Sequence, residues 1–78
     1  MYIIAVFKSR SESIRFAEKL KNYGVFNAVI NTPRNVAKGC GLSVKFPSTN
    51  QPQARFILAN GNYRTFIGFF SYHSTRSF

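Results

Sequence analysis

Acidic side chains are almost missing from this sequence. Its 78 residues hold two, Glu12 and Glu18, against eleven lysines and arginines, and the formal charge is +9. Both acids lie in the first quarter, and the six basic residues between Asn22 and Phe78 have no acidic counterpart there. Catalysis by a carboxylate pair is therefore nearly excluded, and a carboxylate-rich Mg²⁺ or Ca²⁺ site is improbable. Cysteine is as scarce. Cys40 stands alone, so no internal disulfide can form, and with a single histidine, His73, it cannot supply the four ligands of a structural zinc site. No metal or cofactor is expected. Long apolar runs are missing too, since none approaches the roughly 20 residues that span a bilayer. The apolar start, Met1 to Phe7, has no basic segment before it and no cleavage-like site after it, so it does not read as a signal peptide. A lone thiol without an export signal suggests the reducing cytoplasm.

What the chain does contain suits one small globular domain. Hydrophobic residues make up 45% of it, and nine Phe and four Tyr raise the aromatic share to 17%. The domain is expected over residues 1–73, with a frayed tail over 74–78. A chain this short buries only about 60% of its unfolded surface. It needs a well-packed core or a second copy of itself. Eleven bases against two acids draw the chain towards anions: nucleic acid, phosphate, acidic proteins or an anionic membrane face.

Tyr2 to Phe7 is a β-rich run and predicts the first strand. Ser9 and Glu12 have capping-box spacing, in which the serine accepts from the Glu12 amide and the carboxylate reaches back. Ile14, Ala17 and Leu20, with Phe16, mark the inner face of a helix over Ser11 to Tyr23. Gly24 sits where a C-terminal glycine belongs. Val25 to Ile30 predicts a second strand, and Asn31-Thr32-Pro33 ends it. Pro33 to Gly41 is a loop, and Leu42 to Phe46 alternates as a third strand with one wet face. Pro52 opens a second helix over Gln51 to Asn60, with Ala54, Ile57 and Leu58 inward and Gly61 as its stop. Thr65 to Tyr72 is the last strand. In it, Phe66, Phe70 and Tyr72 should oppose Ile67 and Phe69.

The order β-α-β-β-α-β is the split βαβ, or ferredoxin-like, arrangement. It predicts an α+β fold with a four-stranded antiparallel sheet and two helices on one face. The uncovered face should then show aromatic surface, for which a homodimer through that face or through a sheet edge is the simplest cover.

The chemistry centres on Lys38-Gly39-Cys40-Gly41. Gly39 and Gly41 leave the thiol open to close approach, and their backbone N–H groups can converge on an anion. Lys38 and Arg34 can stabilise a thiolate and lower its pKa. These suit a nucleophilic or carrier thiol. The competing reading makes Cys40 a small buried apolar residue at a strand start. His73 has no downstream acid to orient it and reads as an incidental surface residue rather than a base for Cys40. Arg34, Lys38, Lys45, Arg55 and Arg64 form either an anion-binding face or a dispersed solubilising surface. A further alternative is a nucleic-acid-binding module, because RNA-recognition motifs share this element order. Lys38-Gly39-Cys40-Gly41-Leu42 keeps the basic residue and both glycines of their strand-three signature, but Cys40 and Leu42 stand where the stacking rings belong. A non-catalytic anion-binding or interaction domain is the third alternative.

Phe7-Lys8-Ser9, Ala17-Glu18-Lys19-Leu20-Lys21, Gly24, Pro33-Arg34 and Cys40-Gly41-Leu42 together resemble a family of small bacterial selenium/sulfur carrier-like proteins, over roughly residues 2 to 72. The spacing from Pro-Arg to Cys-Gly is the most telling part, and the helix matches without the residue the family places before Leu20. Two features depart from the family: Ala37 stands where a serine is common, and the positive charge is higher. The resemblance implies that Cys40 bears sulfur or selenium as a persulfide or perselenide, with Arg34 in support. It implies donor and acceptor proteins as partners, the donor of cysteine desulfurase type. A carrier need not be an enzyme, so the lack of acids and bases is no obstacle.

Overall fold

A computed structural model describes residues 1–33 and 41–72. The elements follow the expected order: β1 (Tyr2–Phe7), α1 (Arg10–Asn22), β2 (Ala28–Asn31), β3 (Leu42–Pro47), α2 (Gln51–Asn60) and β4 (Phe66–Tyr72), with a short 3-10 turn, Ser48–Asn50, before α2. The strands form one antiparallel sheet in the order β2-β3-β1-β4, so the first strand in sequence lies between the third and the last. This is the ferredoxin-like α+β fold. Its second strand begins at Ala28, later than Val25. Val25 is taken by the end of α1, and the Asn27 side chain turns back to donate to the Ala17 and Val25 carbonyls.

Helix α1 begins and ends by local rules. The Ser9 hydroxyl accepts from the Glu12 N–H at 3.3 Å, and Ser9 itself is extended, as an N-cap should be. At the other end Gly24 adopts φ 77°, a left-handed conformation that a Cβ disfavours. The Gly24 N–H donates to the Lys21 carbonyl at 2.9 Å, and the Val25 N–H donates to that of Leu20 at 2.9 Å. These are the two bonds of a Schellman end, and Val25 and Leu20 supply its apolar contact inside the core.

The buried layer lies between the helices and one face of the sheet. Ala5, Phe7, Val44 and Phe46 meet Phe16, Ala17, Leu20, Ala54 and Ile57 there. Rings dominate it: Phe7 contacts Phe16, Tyr63 and Phe66 with centroids 5.2–5.7 Å apart. Such tilted ring pairs add to the burial term. The inner face of α1 differs from expectation at one position. Ile14 is 47% exposed, and Ser13 is buried in its stead, its hydroxyl donating to the Leu42 carbonyl at 2.7 Å and to the Ser9 carbonyl at 3.2 Å. A serine fits there because its one hydroxyl proton finds acceptors in these two carbonyls, the Leu42 oxygen being the nearer.

The phase of β4 also differs. Val6 pairs with Gly68 and Phe7 with Phe66, so Ile67 is the extra residue of a β-bulge. The bulge turns Phe66 to the same side as Phe69, their rings 5.1 Å apart, and both pack on the core, while Ile67 is exposed. Strict alternation would have set Phe66 opposite Phe69. The expected tail over 74–78 and His73 lie outside the described residues.

Candidate functional site

Of the residues the sequence nominates, Arg34, Lys38, Gly39 and Cys40, together with Ala37, lie outside the described residues. Gly41, which is bonded to Cys40, and the chain on the other side of the loop are described. The Thr32 N–H donates to the Gly41 carbonyl at 3.2 Å, closing the neck of the loop. Two residues further along β3, the Ser43 hydroxyl shares a hydrogen bond of 2.7 Å with that of Thr32.

Gly41 is packed against the end of β1. A Cβ built on it would stand 2.9 Å from the Phe7 carbonyl oxygen and 4.0 Å from the Lys8 Cα. Both are backbone atoms, which cannot swing aside as a side chain can. Gly41 therefore has a steric reason to be glycine, beside the anion-binding role read from sequence. The neck sits where three things meet: the end of β1 at Phe7 and Lys8, the start of β3, and the first turn of α1. Ser13 ties the last two together through the Leu42 carbonyl. The first turn of α1 carries the partial positive charge of a helix N-terminus. Lys8 and Arg10 are exposed beside it, and the Ser9 and Ser11 hydroxyls lie 2.9 Å apart there.

The same turn is fastened to β4 by a network the sequence showed only in part. Glu12 does not close the capping box onto Ser9. Its carboxylate instead accepts from the N–H groups of Arg64 and Thr65, both at 3.0 Å, and from the Thr65 hydroxyl at 2.8 Å. The Ser9 N–H donates to that same Thr65 oxygen at 3.1 Å, so Thr65 stands where the capping carboxylate was expected. Burial raises the Glu12 carboxyl, but the Thr65 and Arg64 N–H groups, the Thr65 hydroxyl and the Arg15 charge outweigh it and hold the group below its ordinary value. Arg15 completes the grip, donating to the Asn62 carbonyl at 2.7 Å with its guanidinium 4.5 Å from the centre of the Tyr63 ring. The Ser9–Glu12 spacing was the only sequence signal of this network. Nothing local to Thr65 or Arg15 announced it.

Of the other basic residues proposed for an anion face, Lys45, Arg55 and Arg64 do not converge. Lys45 lies on β3 and Arg55 on α2, while Arg64 precedes β4. Lys45 belongs to the sheet face opposite the two described helices, with its ammonium 4.9 Å from the ring centres of Tyr2 and Tyr72. Among the described residues no three His, Cys, Asp or Glu side chains lie together as a metal site, and no helix is long and apolar enough to cross a membrane.

The class of protein is thus a ferredoxin-like α+β domain in which Gly41, the residue bonded to the lone cysteine, is anchored beside the end of β1 and the first turn of α1. Residues 2–66 match the model of the family described as "Putative Se/S carrier protein-like". The chain belongs to that family. No curated protein and no solved structure matches it.

Proposed function

We propose that this chain carries sulfur or selenium on Cys40 and passes it between proteins. The observation that bears most on this reading is the family match over residues 2–66, a span that contains the chain's single thiol. The position of Gly41 supports it. Cys40 is bonded to a residue anchored beside Lys8 and the first turn of α1, a place that favours an anion. Arg34 and Lys38, in the same loop, add positive charge for a thiolate or persulfide.

Loading needs no oxidant. The Cys40 thiolate attacks the terminal sulfur of a cysteine persulfide on a donor of desulfurase type. A sulfur–sulfur bond forms at Cys40, the donor's sulfur–sulfur bond breaks, and the donor cysteine leaves as a thiolate. Delivery repeats the exchange, with an acceptor nucleophile taking the terminal sulfur and Cys40 leaving as the thiolate. Selenium follows the same course as a perselenide. Such transfers take place in a reducing cytoplasm, where thiols stay free. The carrier itself supplies no acid or base, which agrees with a chain that has two carboxylates.

For a homodimer, one candidate surface lies beside the β2 edge, where Ile14, Phe26 and Val29 border a groove of about 450 Å³ and Phe26 is 70% exposed. The test of the carrier reading is mass spectrometry after incubation with a cysteine desulfurase and cysteine. The expected result is one added sulfur on Cys40 and none on a Cys40→Ser chain. An unmodified Cys40 under conditions that load a known carrier would end the proposal.

A further inference from the structure

The sheet face opposite the helices has a composition that the fold does not require. Tyr2 and Tyr72 are paired across β1 and β4, and Ile4 pairs with both Phe70 and Lys45 on the next rung. Among the described residues no helix covers this face, and its central positions are buried all the same, Ile4 0%, Val6 1% and Ser43 0% exposed. Tyr2 remains 37% exposed, and Phe70 and Tyr72 are partly buried with some of their surface open. The Lys45 ammonium stands between the two tyrosines, 4.9 Å from each ring centre. Both acids of the chain, Glu12 and Glu18, belong to α1 on the other side of the sheet. The open face is therefore aromatic, acid-free and centred on a cation.

We propose that this face binds single-stranded nucleic acid, with bases stacked on Tyr2, Tyr72 and Phe70 and a backbone phosphate held by Lys45. The reading stands apart from the carrier proposal and would survive its failure. Charge complementarity decides the occupant. Two copies meeting through this face would bring Lys45 against Lys45 with no acid on either side, between molecules of +9 each. An acidic peptide would satisfy Lys45 and leave three rings without a purpose. A single strand offers both partners in turn, π-faces and phosphates, and a duplex hides the first of these. The sheet order β2-β3-β1-β4 sets β1 and β3 side by side at the centre, as in RNA-recognition motifs. The rings, however, come from β1 and β4 rather than β3. On this face β3 places Ser43, which is buried, Lys45 and Pro47, in register with Val6, Ile4 and Tyr2. This is why a search for the strand-three signature around Cys40 and Leu42 misses the surface.

The experiment is fluorescence anisotropy of the full chain with short fluorescein-labelled oligonucleotides, single-stranded DNA and RNA, with a duplex of the same sequence in comparison. Binding should be tighter to the single strand and fall steeply as salt rises from about 50 to 200 mM. Tyr2→Ala and Tyr72→Ala should each weaken it about 5- to 150-fold, the range that the loss of one stacked base corresponds to. Tyr2→Phe and Tyr72→Phe, which keep the rings, should bind as the parent does. Lys45→Gln should reduce the log–log salt slope by about 0.7. If an alanine variant fails to fold, Lys45→Glu decides, because it leaves the rings in place and should abolish binding. Four results would each overturn the proposal: no binding at low salt, equal affinity for the duplex, parent-like binding by folded alanine variants or by Lys45→Glu, or displacement by polyglutamate as effective as by unlabelled oligonucleotide.

Discussion

Gly41 is the residue where sequence and structure give different reasons for the same side chain. Flanking glycines around a thiol suggest an open approach for a substrate, and the fold adds a backbone carbonyl 2.9 Å from where a Cβ would go. Gly41→Ala must therefore push β1 and β3 apart at the loop neck. A loss of about 1–3 kcal/mol in urea denaturation is expected, the usual cost of overpacking. Glu12 makes a second prediction. Its carboxyl is held below the ordinary value of 4.5, so its contribution is full above that pH and is lost as the pH falls through the lower folded value. Thermal midpoints should drop below about pH 4.5, and Glu12→Gln should flatten that part of the profile. A profile identical to the parent's would mean that the three hydrogen bonds to residues 64 and 65 do not depend on the charge. The Ser9–Glu12 spacing was legible in the sequence because capping is local. Its true partner, Thr65, was not, because a contact across more than 50 residues leaves no trace in spacing.

At the scale of elements, α1 and α2 could be read nearly to their ends, since caps, proline and glycine act within a turn of where they stand. Gly24 is the clearest case. Nothing lies within 4 Å of a Cβ built there, so the cost of Gly24→Ala is conformational alone, about 1 kcal/mol from the left-handed φ. Chemical denaturation should show that loss without any change in the slope of the transition. Strand β4 was legible in extent but not in phase. A bulge is set by the partner strand's needs, here the demand for Phe66 beside Phe7 in the core. Ile67 is left exposed by that bulge, so Ile67→Thr should change stability by less than about 0.5 kcal/mol. Phe66→Ala, one position away, should cost several times as much.

For the whole molecule, the fold class followed from element order, which periodicity and turn residues carry. The candidate site was legible only as a cluster of residue types. That Cys40 and two bases share a loop is written in the sequence, whereas the anchoring of Gly41 beside α1 depends on pairings made elsewhere. The charge is a whole-molecule property with its own consequence. With eleven bases and two acids, self-repulsion opposes the compact state, and added salt screens it. The thermal midpoint should therefore rise between low and moderate concentrations of sodium chloride. A midpoint that falls would mean that attractive pairs outweigh the repulsion.

The position of β1 between β3 and β4 has a consequence for how the chain is made. Of the four strands, the first to be synthesised waits longest for its full set of partners. One side of it is paired once β3 has been synthesised, and the other only when β4, the last strand of the sheet to be made, follows. Until then the nascent domain presents Tyr2 to Phe7, an apolar strand with an unpaired edge, and such edges invite pairing with other chains. Synthesis that stalls or stops short of Phe66 should yield a sticky fragment rather than a smaller folded domain.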